Sequence, residues 1–295
     1  MTASASNCLL CTQNYVDVNG LYAPTFSGGL WSDTLPLTNL QNPMLAYKAR
    51  SASCVPSDTS FVCDLGVTRS IMAVVIPAPH NLSQSASYTI SVFKDAALTV
   101  LAGTYSGVLS PVVFPFGTVP FEDQHWYNGQ YTPEEFNNFK VPVVALFTTA
   151  VLGRYVQVLI TDQSNPYGYI ELSRLFVSPG YQPFYNMSYG AQLVPVDPSV
   201  VTKTIGGYRA FDARPKYREF HLAIQTLPNQ EALSSVFDQQ FALGLSGQVF
   251  FSANPKDITN LHRVSFLANL SKLNPITMAY YGYSGVAYDL IEVVA

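Results

Sequence analysis

Charged side chains are scarce in this sequence: 15 Lys and Arg and 19 Asp and Glu among 295 residues, 12% of the chain where about 25% is usual. With a net charge of −4 there is no basic footprint for a phosphate backbone or an anionic membrane surface, so nucleic acid is a poor partner. A long apolar run is also missing. The longest, Val141 to Gly153, is broken by Pro142, Thr148 and Thr149 and falls short of the ~20 residues that span a bilayer, so no membrane insertion is expected. Met1 to Asn14 has no Lys or Arg and only two consecutive leucines, so no signal peptide is expected either. The expectation is a soluble protein made in a cytoplasm, with the sequons at Asn81, Asn186 and Asn269 unused.

Chemical signatures are equally sparse. The sequence contains no G-x-G-x-x-G, no G-x-x-x-x-G-K-[ST], no H-E-x-x-H and no G-x-S-x-G. His80, His125, His221 and His262 are far apart and lack partners at ligand spacing. Glu122-Asp123 and Glu134-Glu135 could supply the paired carboxylates of a glycosidase, but adjacent residues rarely face one site; they read as a solvated turn and as helix N-terminal charge. No catalytic residue and no cofactor is assigned. Cys8 and Cys11 form a C-x-x-C, while Cys54 and Cys63 have eight residues between them, which is half of a metal motif. In a reducing cytoplasm buried thiols are the ordinary reading, with a metal or disulfides as alternatives; no metal is assigned.

What is abundant is aromatic: Tyr 19 and Phe 18, with Pro 20. Neutral polar groups and rings suit a surface that is covered by a partner or a ligand. Helical periodicity is rare, and short runs of Val, Ile, Phe, Tyr and Thr between Gly, Pro, Asn and Ser predict a mainly β protein. Strands are expected at Phe61 to Gly66, Ile71 to Ile76 and Tyr88 to Asp95, the last with Tyr88, Ile90 and Val92 inward, in a sandwich. Arg154 to Thr161 and Tyr169 to Val177 read as a closing hairpin around Asn165-Pro166-Tyr167-Gly168.

Three parts are expected: an N-terminal arm (1–30), a jelly-roll β-sandwich (31–178), and a β-rich α+β domain with one helix packed on a sheet (179–295). In the last, Gly206-Gly207 marks a hairpin between Val200 to Ile205 and Tyr208 to Asp212. The helix, Asn229 to Leu243, carries an apolar stripe of Leu233, Val236, Phe237 and Phe241 that should pack on the sheet. Strands follow at 248–252, 262–270, 276–281 and 288–294.

The stretch Thr104 to Lys140, rich in proline and rings, is the candidate functional segment. Thr132-Pro133-Glu134-Glu135 starts a short helix within it. Trp126, Tyr127 and Tyr131, with Phe121, could stack on the apolar face of a sugar while Asp123, Asn128 or Gln130 bonds its hydroxyls. The same rings equally suit a protein interface, the preferred reading.

Two resemblances add to this. The FVCDLG run, the strand at Ile71, the HNLS turn at His80 to Ser83 and the RYVQVLI segment resemble discoidin-like, galactose-binding jelly-roll domains over about Trp31 to Ser178. Such domains bind sugars, lipid head groups or proteins through loops at one end. The run NPYGYIELSRLFVSPGYQPFYNMSYG, then TIGGYRAFDARPKYREFHLAI, NQEALSSVFDQQ, NPKDITNLHRVSFLANL and YSGVAYDLIEVV, resembles minor tail or baseplate proteins of long-tailed bacteriophages. That resemblance implies a virion structural protein made in a host bacterium, a distal-tail adaptor between tail tube and hub or fibres that assembles as a homo-oligomeric ring. It leaves host surface glycan as a further partner. Distal-tail proteins generally put the ring-forming β domain first; here the jelly-roll-like part comes first.

Overall fold

The computed structural model describes residues 7–17, 23–139, 141–257 and 259–294. The protein is mainly β, an N-terminal jelly-roll sandwich followed by a β-rich unit with a helix packed on its sheet. In chain order the first half carries β1 (Leu9–Cys11), β2 (Thr25–Ser27), β3 (Ala49–Arg50), β4 (Phe61–Ile76), β5 (Ser87–Phe93), β6 (Leu101–Val108), β7 (Val143–Thr161), β8 (Glu171–Leu172) and β9 (Phe176–Ser178). The second carries β10 (Gln192–Val196), β11 (Val200–Lys203), β12 (Arg209–Asp212), β13 (Tyr217–Pro228), β14 (Gln248–Ser252), β15 (Ser265–Leu270), β16 (Thr277–Tyr280) and β17 (Tyr283–Glu292).

The jelly-roll sheet has the order β2-β4-β7-β5-β6, with β9 also on β4. FVCDLG and IMAVVI, expected as two strands, form the single strand β4. Its register against β7 shifts between Asp64 and Arg69, where Gly66 takes a positive φ of 77°. A bulge of this kind bends a strand, so β4 and β7 contribute to both halves of the sandwich. Arg154 clamps the bend, its Nε and Nη2 donating to the two Asp64 carboxylate oxygens at 2.6 and 2.8 Å. On β5 the side chains alternate as expected: Tyr88, Ile90 and Val92 are buried. Outside, Thr89 meets Ser106 and Ser91 meets Thr104 at 3.1 and 3.0 Å across the strands.

The closing hairpin does not form. β7 pairs with β4 and β5, whereas β8 pairs with β3 and β9 with Ala73–Val75 of β4. The Asn165 turn redirects the chain across the sandwich, because Asp162 accepts from Ser83 N and from Asn165 Nδ2, both at 2.8 Å.

The second sheet has the order β1-β14-β15-β17-β13-β10, with β16 on β17. The described part of residues 1–30 is shared between the two sheets. β1 closes the edge of the second sheet, through Leu9↔Ser252 to Cys11↔Phe250, and β2 pairs with Asp64–Val62 of β4. The two apolar faces of β1 explain why: Leu9, Leu10 and Cys11 are all buried, so the segment needs cover on both sides. Cys8 and Leu10 face the core under the helix, while Leu9 and Cys11 join Ala73, Val75, Val144, Phe176, Phe250 and Leu267 in a core shared by the two sheets. This core ties the second unit to β4, β7 and β9 of the jelly roll.

The helix runs from Asn229–Glu231 through the π-helical Ala232–Phe237 to Asp238–Leu243. The expected stripe does not pack on the sheet as a whole. Widened π turns keep residues four apart in line, so Ala232, Val236 and Gln240 face inward, and Leu233, Phe237 and Phe241 turn outward. Phe237 and Phe241 stack on each other at 6.1 Å and 20°.

Candidate functional site

The 109–132 connection is ordered by its own backbone. Val113 and Phe114 N–H both donate to Gly129 O, at 2.8 and 2.9 Å. Gly129 sits at φ 62°, and a Cβ there would lie 2.3 Å from Phe114 O, so no other residue fits this crossing. The capping box forms: Glu135 N–H donates to Thr132 Oγ1 at 3.3 Å, and Thr132 N–H to Glu135 Oε2 at 2.9 Å, starting the Pro133–Phe139 helix. His125 lies between two carboxylates, Nδ1 2.6 Å from Asp123 Oδ1 and Nε2 2.9 Å from Glu135 Oε2. The hydrogen bond to Glu135 leads in raising the His125 pKa, against desolvation, and the Glu135 and Asp123 pKa values are lowered in turn.

Three of the four expected site residues come together. Trp126, half-buried, packs against Phe116 at 5.1 Å and Phe121 at 5.6 Å, and Tyr127 lies 6.5 Å from Phe121. Phe116, Phe121 and Tyr127 are largely exposed, at 84, 68 and 85%. They form an exposed aromatic knob. Tyr131 is a correction: it is buried, donates its hydroxyl to Thr259 O and meets the His262 ring at 4.4 Å. A side chain so placed joins the two units and stands apart from the exposed rings.

A concave site lies elsewhere on the jelly roll. The β4–β5 connection (Pro79, His80, Asn81, Leu82), the Pro133–Phe139 helix (Phe136, Asn137) and the β7–β8 connection (Tyr167, Tyr169, Glu171), with Lys48, enclose a cleft of about 340 Å³. Asn81 is its frame, donating Nδ2 to Tyr169 O at 2.9 Å and accepting Glu171 N–H at 2.6 Å. Glu171 is fixed by Lys48 at 3.1 Å and by Arg50, whose guanidinium stacks 4.4 Å above the Tyr169 ring. Burial raises the Glu171 carboxyl, but the bonds from Arg50 and Lys48 outweigh it and leave the pKa below the ordinary value. Tyr167 is 63% exposed at the rim. A ring beside a fixed carboxylate, an ammonium and a primary amide can stack on one side of a ligand and hydrogen-bond its edge. Sequence reasoning missed this site because NPYG reads first as a turn. The signal was present in a tyrosine at the turn's tip and another two residues on.

The four cysteines do not converge on this region. Cys8 and Cys11 belong to cores on opposite sides of the second sheet, so β1 splits the C-x-x-C. Cys54 and Cys63 lie within the jelly-roll core.

No family model and no curated protein matches the chain. Among solved structures, it is similar to the family 32 carbohydrate-binding module of Clostridium perfringens NanJ in complex with galactose, at 13% identity and a TM-score of 0.33, covering 54% of this chain and 93% of that one. It is also similar to the family 32 module of AlyQ in complex with 4,5-unsaturated mannuronic acid, at 14% identity and a TM-score of 0.32, covering 52% and 92%. A third is chitosan-binding module 1 of a chitosanase/glucanase from Paenibacillus, at 20% identity and a TM-score of 0.34, covering 56% and 98%.

Proposed function

We propose that the jelly roll is a non-catalytic glycan-binding module, with the cleft at Lys48, Asn137, Tyr167 and Glu171 as its site. The observation that carries this is the cleft itself: an exposed tyrosine at the rim of a 340 Å³ concavity whose carboxylate is already held by two cations. Sugars present an apolar ring face and a polar edge, and this arrangement answers both. The cluster around Trp126 offers exposed rings with no fixed carboxylate and cation pair among them. A glycan array read with the wild type, Tyr167→Ala and Trp126→Ala tests the assignment. Binding should fall at least about tenfold in Tyr167→Ala, a loss of roughly 1.4 kcal/mol, and persist in Trp126→Ala. Loss in Trp126→Ala alone would move the site to the knob, and an array with no bound glycan would remove the reading.

A second reading is a structural subunit of a bacteriophage tail tip, a distal-tail-type adaptor between tail tube and hub or fibres. It is favoured by the amount of apolar surface left exposed: the aromatic knob, the outer helix face and the β11–β12 ribbon. In this reading the second unit assembles with sister copies and the glycan cleft faces outward to the host surface. Concentration-dependent assembly, or a stable complex with tail-tube and hub proteins, supports it; a chain that remains monomeric and ignores them does not.

A further inference from the structure

Among the described residues the β11–β12 ribbon pairs with no other strand. Residues 200–216 are all exposed, and they include Val200, Val201, Ile205, Tyr208 and Phe211. An isolated two-stranded hairpin is marginally stable in water, and apolar side chains on it gain nothing without cover. One face of the ribbon is set by the register: Val201 lies opposite Phe211, and Lys203 opposite Arg209. Like charges placed directly across two strands repel, a local cost that an acidic partner would reverse. From Asp197 to Lys216 there are four basic and two acidic residues, a net of +2 in a chain of net −4, so the remaining residues carry −6. Arg214 and Lys216 face the ribbon's own Asp212 and Asp197, which leaves the Lys203–Arg209 end as its cationic part.

The complementary surface is on the 229–243 helix. Leu233, Phe237 and Phe241, spaced by four, form an exposed apolar face, with Phe241 81% exposed and Leu245 continuing it. Asp238 is exposed beside Phe237, and between Glu219 and Pro255 the sequence contains no Lys or Arg. The helix face thus carries Asp238 and no basic residue of its own, where the ribbon carries Lys203 and Arg209.

The two surfaces do not cover each other within one chain: Phe211 and Phe241 are 66 and 81% exposed. The ribbon leaves the sheet where Val196 pairs with Tyr217, at the start of β13, and the helix begins after Pro228, at its end. The twelve residues of β13 separate them by roughly 36 Å at about 3.3 Å per residue. We propose that the 197–216 ribbon of one copy docks on the outer face of the 229–243 helix of a second copy. The contact is head-to-tail, so it repeats until it closes into a ring or runs on as a filament. The ribbon offers twenty residues, in keeping with the 20–30 that one side of a standard interface uses. This deepens the assembly reading above, rests on it, and is independent of the glycan cleft.

Sedimentation of the full chain, with Phe211→Glu and Phe241→Glu, tests the contact; both side chains are exposed, and circular dichroism checks that the variants fold. Each substitution should weaken self-association at least about thirtyfold. An equimolar mixture of the two variants should form a dimer and stop there, because it has one intact ribbon and one intact helix face. A wild type that assembles while either variant assembles as well would overturn the docking and leave the assembly reading standing. Monomeric variants whose mixture stays monomeric would overturn the head-to-tail geometry. A wild type that is monomeric at high concentration would overturn both.

Discussion

Tyr131 and His262 meet edge-to-face across the junction of the two units, ring centroids 4.4 Å apart at 71°. The tyrosine hydroxyl continues past the imidazole to the carbonyl of Thr259. The long loop of the jelly roll is thus fastened to the second unit through Tyr131, and Thr259 Oγ1 donates back to Val113 O at 3.4 Å. Tyr131→Phe should cost about 1 kcal/mol, the usual worth of one hydrogen bond, and Tyr131→Ala about 3–5 kcal/mol through the cavity it leaves. Urea denaturation measures both. Equal and small losses would mean that the loop is held elsewhere.

The same neighbourhood holds two histidines with opposite responses to pH. In the fold the His125 pKa is raised, chiefly by its bond to Glu135. Its contribution is complete below the unfolded value near 6.5 and is lost as the pH climbs through the higher folded value. His262 is held at about 4, by burial first and then by Arg263 and Arg218. The unfolded chain therefore takes up that proton first, and stability falls as the pH drops from about 6.5 to 4. Denaturation midpoints measured from about pH 4 to above neutrality should flatten above about 6.5 in His125→Gln and between about 6.5 and 4 in His262→Gln. Profiles parallel to the wild type in both variants would remove these groups as the source.

Much of this architecture was legible in the sequence, and the failures share a cause. The alternation at Tyr88, Ile90 and Val92 and the Thr132–Glu135 capping box are local signals, and both formed as read. Strand pairing is not local: the hairpin expected after Thr161 gave way to β8 on β3 and β9 on β4, partners more than 100 residues away. The helix stripe failed because a π segment changes the period that the reading assumed. Of the expected site, Phe121, Trp126 and Tyr127 gathered because neighbouring loop residues stay together, whereas Tyr131 was claimed by His262, more than 130 positions on. The two tyrosines of the NPYG turn were the cleft's one local signal; its other members were not legible for the same reason, since Lys48, Asn81, Asn137 and Tyr167 meet only after the sandwich closes.

Arg174 makes a third link between parts of the chain. Its side chain is 1% exposed; Nη2 donates to Asp17 at 2.6 Å, and Nη1 to Gln248 of β14. Removing Arg174 leaves Asp17, whose side chain is 40% exposed and rehydrates, so Arg174→Ala should cost less than the about 3–5 kcal/mol of a pair buried on both sides. Arg174→Lys should recover only part of it, because an ammonium cannot span both acceptors as a planar fork does. Thermal unfolding distinguishes the outcomes, and a lysine variant as stable as wild type would show that charge alone suffices.

The thiols give a readout of folding that needs no substitution. Cys8, Cys11, Cys54 and Cys63 are buried, and desolvation pushes Cys8 up to about 11 and Cys11 and Cys63 to about 12. The thiolate is the reactive form, so at pH 8 the folded protein should leave these thiols unmodified by a disulfide reagent such as DTNB. In guanidinium all four should react. Between these limits, labelling should follow opening of the cores. Cys8 lies under the helix, Cys11 between the units, and Cys63 in the jelly roll, so each reports a different region. Mass spectrometry of partly labelled protein should show Cys8 and Cys11 modified together if the shared core makes the two units open as one. Cys63 labelled first, with Cys8 and Cys11 untouched, would mean that the jelly roll unfolds alone and that the shared core does not couple them.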